Sequence, residues 1–373
     1  MINDYLKPVG GAETFMYTLK SSLEKKGHEM IILGSEKGET VGSFFSRWYS
    51  LKWYKKTKAK IKKLNPDIVH VNNCSRIVSP SVIDAARNSG IPVVMTFHDY
   101  HYFCPRIWAV DKDGNPCECW KSFSNSVFSK CRGFKEGWKY FPIHVLKVMR
   151  LALHKRILKK GKIKFIAPSK TLAKCMEKIL KTNVKVIPNG VDIPSKKTAY
   201  KNVILFVGRV SEENGLQTII GHLNKIKEYK VLVLGEGALK KELEEKYTNV
   251  TFLGFQNPEK YYKEASIALV PSIWKTNAPY AVLEAMAYGL CVIASDDEGI
   301  TEMIEHKKTG LLFKRCDEKD FGEKLDYVLK NPKEIKTMGN NARNYAKEIF
   351  DWGKIVKEYE KIYHKLKMGK LEK

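Results

Sequence analysis

The sequence predicts an α/β protein of two doubly wound domains, each a parallel sheet covered by helices. Three observations predict it. The chain has 373 residues, too many for one ordinary core and suited to two domains of about 150–200 residues. Short Val/Ile/Leu runs alternate with longer amphipathic patterns, as in βαβ units whose strands are buried on both faces. The pattern then restarts near residue 200, after Pro188-Asn189-Gly190 and a polar stretch from Pro194 to Lys201. Residues 1–190 are therefore read as the first domain and 191–349 as the second.

Strands in the first domain are expected at 29–33, 67–71, 92–97, 163–167 and 184–187. In the second they are expected at 203–207, 230–234, 250–253, 267–270 and 291–294. A helix beginning near Gly11 calls for a strand before it, yet only Met1 and Ile2 precede Asn3-Asp4. Two readings stay open: a chain that naturally begins several residues upstream, or a short edge strand.

Composition narrows the function. Hydrophobic residues make up 43% and aromatics 11%, so the chain can bury two cores and is not disordered. No stretch approaches ~18 consecutive apolar residues, and no basic segment followed by an apolar one opens the chain, so neither a spanning helix nor a secretory signal is expected. The eight cysteines then point to a reducing, cytoplasmic setting. The net charge is +25, of which +22 falls in residues 1–200 and +3 in residues 201–373. A basic first half calls for an anionic partner: membrane surface, nucleic acid or anionic substrate.

Three motifs carry chemistry. In Phe206-Val-Gly-Arg209-Val-Ser-Glu-Glu-Asn214-Gly215 a strand ends in a tight turn and a helix is expected near Gly215. Arg209 then stands beyond a strand C-terminus, where α/β sheets bind ligands and where a guanidinium can hold a phosphate. In Leu234-Gly-Glu-Gly237 the glycines, Gly235 first, allow close backbone approach to a ligand. The most informative stretch is Pro271-Ser-Ile-Trp-Lys-Thr276-Asn-Ala-Pro279-Tyr-Ala-Val-Leu-Glu284-Ala-Met-Ala-Tyr-Gly289. Pro279 fits a first helical position and Gly289 a C-terminal cap. The helix start at Asn277, Ala278, Pro279 and Tyr280 attracts an anion, and Glu284, one turn inside, suits a diol such as a ribose.

These residues, in this order, resemble glycosyltransferase family 4, which has the GT-B fold. The resemblance runs through Pro8-Val-Gly10-Gly11-Ala-Glu13, Asp67-Ile-Val-His70, Phe97-His98-Asp99, Ile166-Ala-Pro-Ser169 and Ile187-Pro-Asn-Gly-Val-Asp192. It continues through Val207-Gly-Arg209, the 271–289 block, Asp297 to Glu302, and Thr309 to Phe313. Phe350-Asp-Trp352 resembles the start of the family's last helix, about 350–373, which crosses back onto the first domain.

The resemblance implies a retaining, metal-independent hexosyltransferase that uses a UDP- or GDP-sugar and no cofactor. It implies a cleft between an acceptor-side first domain and a donor-binding second domain. Arg209 would neutralise the diphosphate, Glu284 would hold the ribose hydroxyls, and His98 would stand near the transferred sugar. The 277–280 amides and Gly235 would contact the donor, and Gly10 and Gly11 would let the first loop approach it. Base recognition would fall to backbone groups near Thr251 to Phe255.

Two departures bear on activity. The family's E-x7-E motif has its first Glu where this chain has Thr276, and its second diphosphate cation, a Lys, where this chain has Asn214. Either contacts are rearranged, with Lys275 swinging in, or donor binding is impaired. Restoring Thr276→Glu with Asn214→Lys is expected to raise activity.

Cys104, Cys117, Cys119 and Cys131 cluster in a long loop after His98-Asp99. Four cysteines suit structural zinc, but the spacing lacks C-x2-C pairs, so thiols or a disulfide packing an acceptor loop is the plainer reading. Two basic stretches remain. Phe44 to Lys56 interleaves aromatics with cations, and Val145 to Lys160 places Leu146, Met149, Leu153 and Ile157 at helical spacing among Lys and Arg. Both are read either as core-facing helices with a solvated basic face or as peripheral contacts with an anionic membrane, which suits a lipid-linked acceptor. A nucleic-acid-binding role has the charge but no accompanying signature, and none is expected.

Overall fold

The computed structural model describes residues 1–6, 10–36, 44–105, 109, 117, 123–128 and 141–371. Two units emerge: Met1–Pro188 with Gly353–Lys373, and Asn189–Trp352.

Unit 1 contains β1 (Ile2–Tyr5), β2 (Leu33–Ser35), β3 (Val69–Val71), β4 (Val93–Thr96), β5 (Ile163–Ala167) and β6 (Val184–Val186). They form one parallel sheet in the order β2-β1-β3-β4-β5-β6. Its helices are α1 (Gly11–Glu24), α2 (Leu51–Leu64), α3 (Ser81–Asn88), α4 (Phe123–Phe128), α5 (Phe141–Lys159) and α6 (Lys170–Leu180). Capping sets several boundaries. The Ser50 hydroxyl accepts from Trp53 N to open α2, Ser169 does the same for Leu172 N at α6, and Asn65 closes α2 in the left-handed region.

The first strand corrects the sequence reading. β1 lies inside the sheet, between β2 and β3, and is not an edge. It tolerates Asn3 and Asp4 because both are fully bonded. The Asp4 carboxylate accepts from the four successive amides of Ser75, Arg76, Ile77 and Val78 at 2.8–3.0 Å. Asn3 donates to Glu13 Oε1 at 2.9 Å and accepts from Asn73 N at 3.1 Å. The strand expected at 29–33 forms instead at Leu33–Ser35, where its ladder to β1 begins at Ile2↔Leu33.

Helix α5 also differs. It buries His144, Val148, Leu151, His154, Ile157 and Leu158. Of the expected apolar face only Ile157 is buried, while Ile143, Leu146 and Met149 are exposed. The buried stripe runs about one helical step round from the expected one, because two histidines occupy core positions. Each ring has a backbone partner for one nitrogen: His144 Nε2 meets Ser126 O and His154 Nε2 meets Arg47 O.

Unit 2 contains β7 (Val203–Val207), β8 (Lys230–Leu234), β9 (Val250–Gly254), β10 (Ile267–Val270), β11 (Cys291–Ser295) and β12 (Gly310–Phe313). Its parallel order is β12-β11-β10-β7-β8-β9. Helices α7 (Ile220–Leu223), α8 (Lys240–Lys246), α9 (Glu259–Tyr262), α10 (Tyr280–Tyr288), α11 (Glu298–Thr301), α12 (Glu318–Lys330) and α13 (Pro332–Ile349) connect and cover it. The last helix, α14 (Trp352–Leu371), packs into unit 1 through Ile355, Val356, Tyr359 and Ile362, with Tyr359 against Phe15 and His70. Among the described residues, no helix is long and apolar enough to cross a membrane.

Candidate active site

Strand order locates the site in unit 2. The chain runs outward from β7 to β8 and β9, then returns to start β10 on the other side of β7. Neighbouring connections therefore leave β7 and β10 in opposite directions, and a crevice opens beyond their C-terminal ends. Gly208 and Arg209 follow β7, Gly235 follows β8, and the 271–280 stretch follows β10.

The first two loops are zipped together. Gly208 N donates to Leu234 O and Val210 N to Glu236 O, both at 3.0 Å. Gly235 sits at φ +139°, and a Cβ there would fall 1.9 Å from the Gly208 carbonyl oxygen. Only glycine fits.

Arg209 is exposed on this edge, with its guanidinium 3.2 Å from Glu213 Oε1. Asn214 Nδ2 donates to the Arg209 carbonyl at 2.8 Å, so Asn214 braces the backbone under the arginine. The helix expected near Gly215 is absent. Two short 3-10 turns, Glu212–Asn214 and Leu216–Thr218, flank Gly215 at φ +77°, which breaks the helical run. Ile273 N donates to Glu213 O at 3.0 Å and ties the β10 loop to the Arg209 loop.

Within the β10 loop, Thr276 turns inward. Its amide and hydroxyl both donate to Asp297 Oδ2, at 2.9 and 2.6 Å. Asp297 is fully buried, caps α11 through Gly299 N, and meets Arg315 Nη2 at 2.8 Å. Burial raises the Asp297 pKa, against the Thr276 hydrogen bond and the Arg315 charge. A glutamate at 276 would bring a second carboxylate against this buried one, which argues against a gain from Thr276→Glu. Lys275 Nζ lies 2.6 Å from Glu298 Oε2.

Ala278 holds φ +45° and its carbonyl accepts from Asn189 Nδ2. Pro279 is the N-cap of α10 with ψ 134°, one residue before the helical position expected for it. Having no N–H, it adds no donor to the 277–280 set. Gly289 closes α10 in the left-handed region, as expected. Glu284 is half-buried on α10, and Tyr262 Oη donates to its Oε2 at 3.1 Å. Burial raises the Glu284 pKa, with the Tyr262 hydrogen bond opposing. Tyr262, stacked on Tyr288 at 5.4 Å, is a site residue the sequence reading missed.

Unit 1 has its own reversal, between β1 and β3. Gly10 caps α1 with extended φ −173°, and a Cβ there would meet nothing closer than 3.8 Å. Its conformation therefore does not demand glycine. Gly11 opens α1. His98 follows β4; its Nε2 lies 3.0 Å from Asn72 Oδ1 and its ring 4.9 Å from Phe15. Burial lowers its pKa to about 4, so the imidazole is neutral near pH 7 and donates its Nε2 proton to Asn72. Asn72 was likewise missed, since a lone Asn after a strand carries no signal by itself.

Cys104 and Cys117 are buried in the unit 1 core, while Cys119 and Cys131 lie outside the described residues. Among the described residues, no group of three or more His, Cys, Asp or Glu is placed to hold a metal.

The model of "Glycosyltransferase Family 4" matches residues 9–194, and that of "Glycosyl transferases group 1" matches residues 192–345. The chain belongs to glycosyltransferase family 4, group 1. An uncharacterized glycosyltransferase of Methanocaldococcus jannaschii is 30% identical over 44% of the chain and 45% of that relative. A Campylobacter jejuni N-acetylgalactosaminyltransferase, named for a diNAcBac-PP-undecaprenol-linked saccharide, is 29% identical over 45% of the chain and 49% of that relative. The chain thus spans about half the length of these relatives. Anabaena HepE, solved with UDP, superposes with a TM-score of 0.70 at 16% identity over 98% of both chains, and shares the GT-B fold of family 4.

Proposed function

We propose that this chain moves a hexose from a nucleotide-diphosphate sugar to a saccharide or lipid-linked acceptor, with retained anomeric configuration and without a metal. The observation that carries this reading is the unit 2 crevice, where Arg209, Gly235, the α10 start and Glu284 share one sheet edge at the strand-order reversal. Arg209 neutralises the diphosphate, the 277–280 backbone adds dipoles, and Glu284 accepts from the ribose hydroxyls. His98, neutral and hydrogen-bonded to Asn72, takes the role near the transferred sugar that the family resemblance implies. HepE's bound UDP supports a uridine donor, with guanosine as the alternative. The Campylobacter relative's name supports a lipid-diphosphate acceptor. Exposed Ile143, Leu146 and Met149, and the seven lysines of α2, support contact with the inner face of an anionic membrane.

A second reading is a relative that binds nucleotide sugars without transfer. It is favoured by Glu213 beside Arg209 and by Thr276 committed to Asp297. Release of UDP or GDP from hexose donors, measured with EDTA and then with divalent cations, separates the two. Turnover in EDTA supports the proposal. Turnover only with added cation overturns metal independence, and no turnover with any donor leaves the binding relative.

A further inference from the structure

Arg150 lies within electrostatic reach of two other arginines from separate parts of unit 1, Arg47 and Arg76. Arg47 ends the 3-10 turn Phe44–Arg47, and its carbonyl accepts from His154 Nε2 on α5 at 2.9 Å. Arg150 lies one turn before His154 on the same helix, hence on the same face. Arg76 belongs to the loop whose amides close on Asp4. The charges that act on Arg150 are those of Arg47, Arg76 and Asp4; burial and then Arg47 hold its pKa below the ordinary value, and Asp4 opposes.

Among the described residues, no carboxylate forms an ion pair with Arg47, Arg76 or Arg150. The Nε atoms of Arg47 and Arg150 are buried and bond to nothing among the described residues. The Arg76 guanidinium donates to the ring of His101, whose Nδ1 lies 2.5 Å from Asp99 Oδ2. Asp4, the carboxylate whose charge acts on Arg150, is already taken up by four amides. Buried donors that lack partners call for a ligand, and guanidinium groups match phosphoryl oxygens bidentately.

We propose that Arg47, Arg76 and Arg150 form a phosphoryl-anion site that takes the phosphate or diphosphate of the acceptor. Assigning the anion to the acceptor rests on the transfer reading above; the anion site itself does not. It lies in unit 1, apart from Arg209, and its positive charge exceeds that of Asp4 by two. The site would hold the charged end of the acceptor while leaving its sugar end free to react.

The probe is inorganic pyrophosphate, titrated calorimetrically. Arg209→Gln serves as the parent, so that binding at the unit 2 crevice does not contribute. Adding Arg47→Gln and Arg150→Gln is expected to weaken pyrophosphate binding about tenfold or more. Arg76→Gln, at an exposed position, is expected to weaken it severalfold and guards against a fold failure in the double variant. Unchanged affinity in both variants overturns the site. A second arm sediments the same proteins with phosphatidylglycerol vesicles. Equal vesicle binding by parent and variants supports an acceptor-type phosphate. Lost vesicle binding with pyrophosphate affinity intact overturns the proposal in favour of a lipid headgroup. UDP titration of the wild-type protein reports on the donor reading separately, so either can fail alone.

Discussion

The Thr276 hydroxyl donates to the Asp297 carboxylate at 2.6 Å, at the position where the family's E-x7-E motif has its first glutamate. This contact turns the departure at 276 from a lost ligand into a structural bond. Thr276→Val leaves a buried carboxylate short of one donor and is expected to cost about 1–3 kcal/mol of stability. Thr276→Glu is expected to cost more and to yield no gain in activity, with or without Asn214→Lys. Denaturant melts and donor turnover of the same variants check both.

Glu284 gives a pH signature. Its raised pKa means that it takes up a proton at a higher pH than an ordinary glutamate. The ionised carboxylate accepts from ribose hydroxyls more strongly than the protonated acid, so nucleotide affinity is expected to be full above that raised value and to fall as pH drops through it. Tyr262→Phe removes the hydrogen bond that opposes the shift, and should move the fall to still higher pH. Glu284→Gln should bind weakly with no acid fall. Nucleotide titrations across pH compare the three proteins.

His98 gives the complementary signature. With a pKa of about 4 it stays neutral through the neutral range, so the wild-type rate should show no histidine titration there. Among the described residues, Asp99 and His70 are titratable groups that act on it, and His101 pairs with Asp99. Asn72→Asp sets a carboxylate against Nε2 and raises the His98 pKa, which brings a new inflection into the neutral pH–rate profile. A profile unchanged by Asn72→Asp contradicts the pairing.

Gly235→Ala tests the zipped loops. The methyl group meets the Gly208 carbonyl oxygen, at a φ unsuited to alanine. A loss of about 2 kcal/mol or more is expected, with nucleotide binding falling in parallel. Thermal melts with and without nucleotide measure it.

Much of the fold was legible because parallel strands announce themselves. Val203 to Val207, Lys230 to Leu234 and Ile267 to Val270 fall where the apolar runs predict them. β1 was not legible, because Asn3 and Asp4 break the apolar pattern and are satisfied by Glu13 and by loop amides some seventy residues away. β12 was missed because Gly310 to Phe313 is short and opens on a glycine. At the site, Arg209, Gly235 and Glu284 could be picked out by spacing after strands. Tyr262, Asn72 and Asp297 could not, since each meets its partner only through the tertiary fold.

The proposed nucleotide-diphosphate site lies at the β7/β10 crevice. It is tested most directly by the thermal shift of wild-type protein with UDP, GDP, ADP, UMP and GMP, without metal, beside Arg209→Gln and Glu284→Gln. A ligand at 100 times its dissociation constant stabilises by about 2.7 kcal/mol. A selective shift with one diphosphate is expected, weaker for its monophosphate and largely lost in both variants. A flat wild-type panel, or a shift that both variants retain, would contradict it.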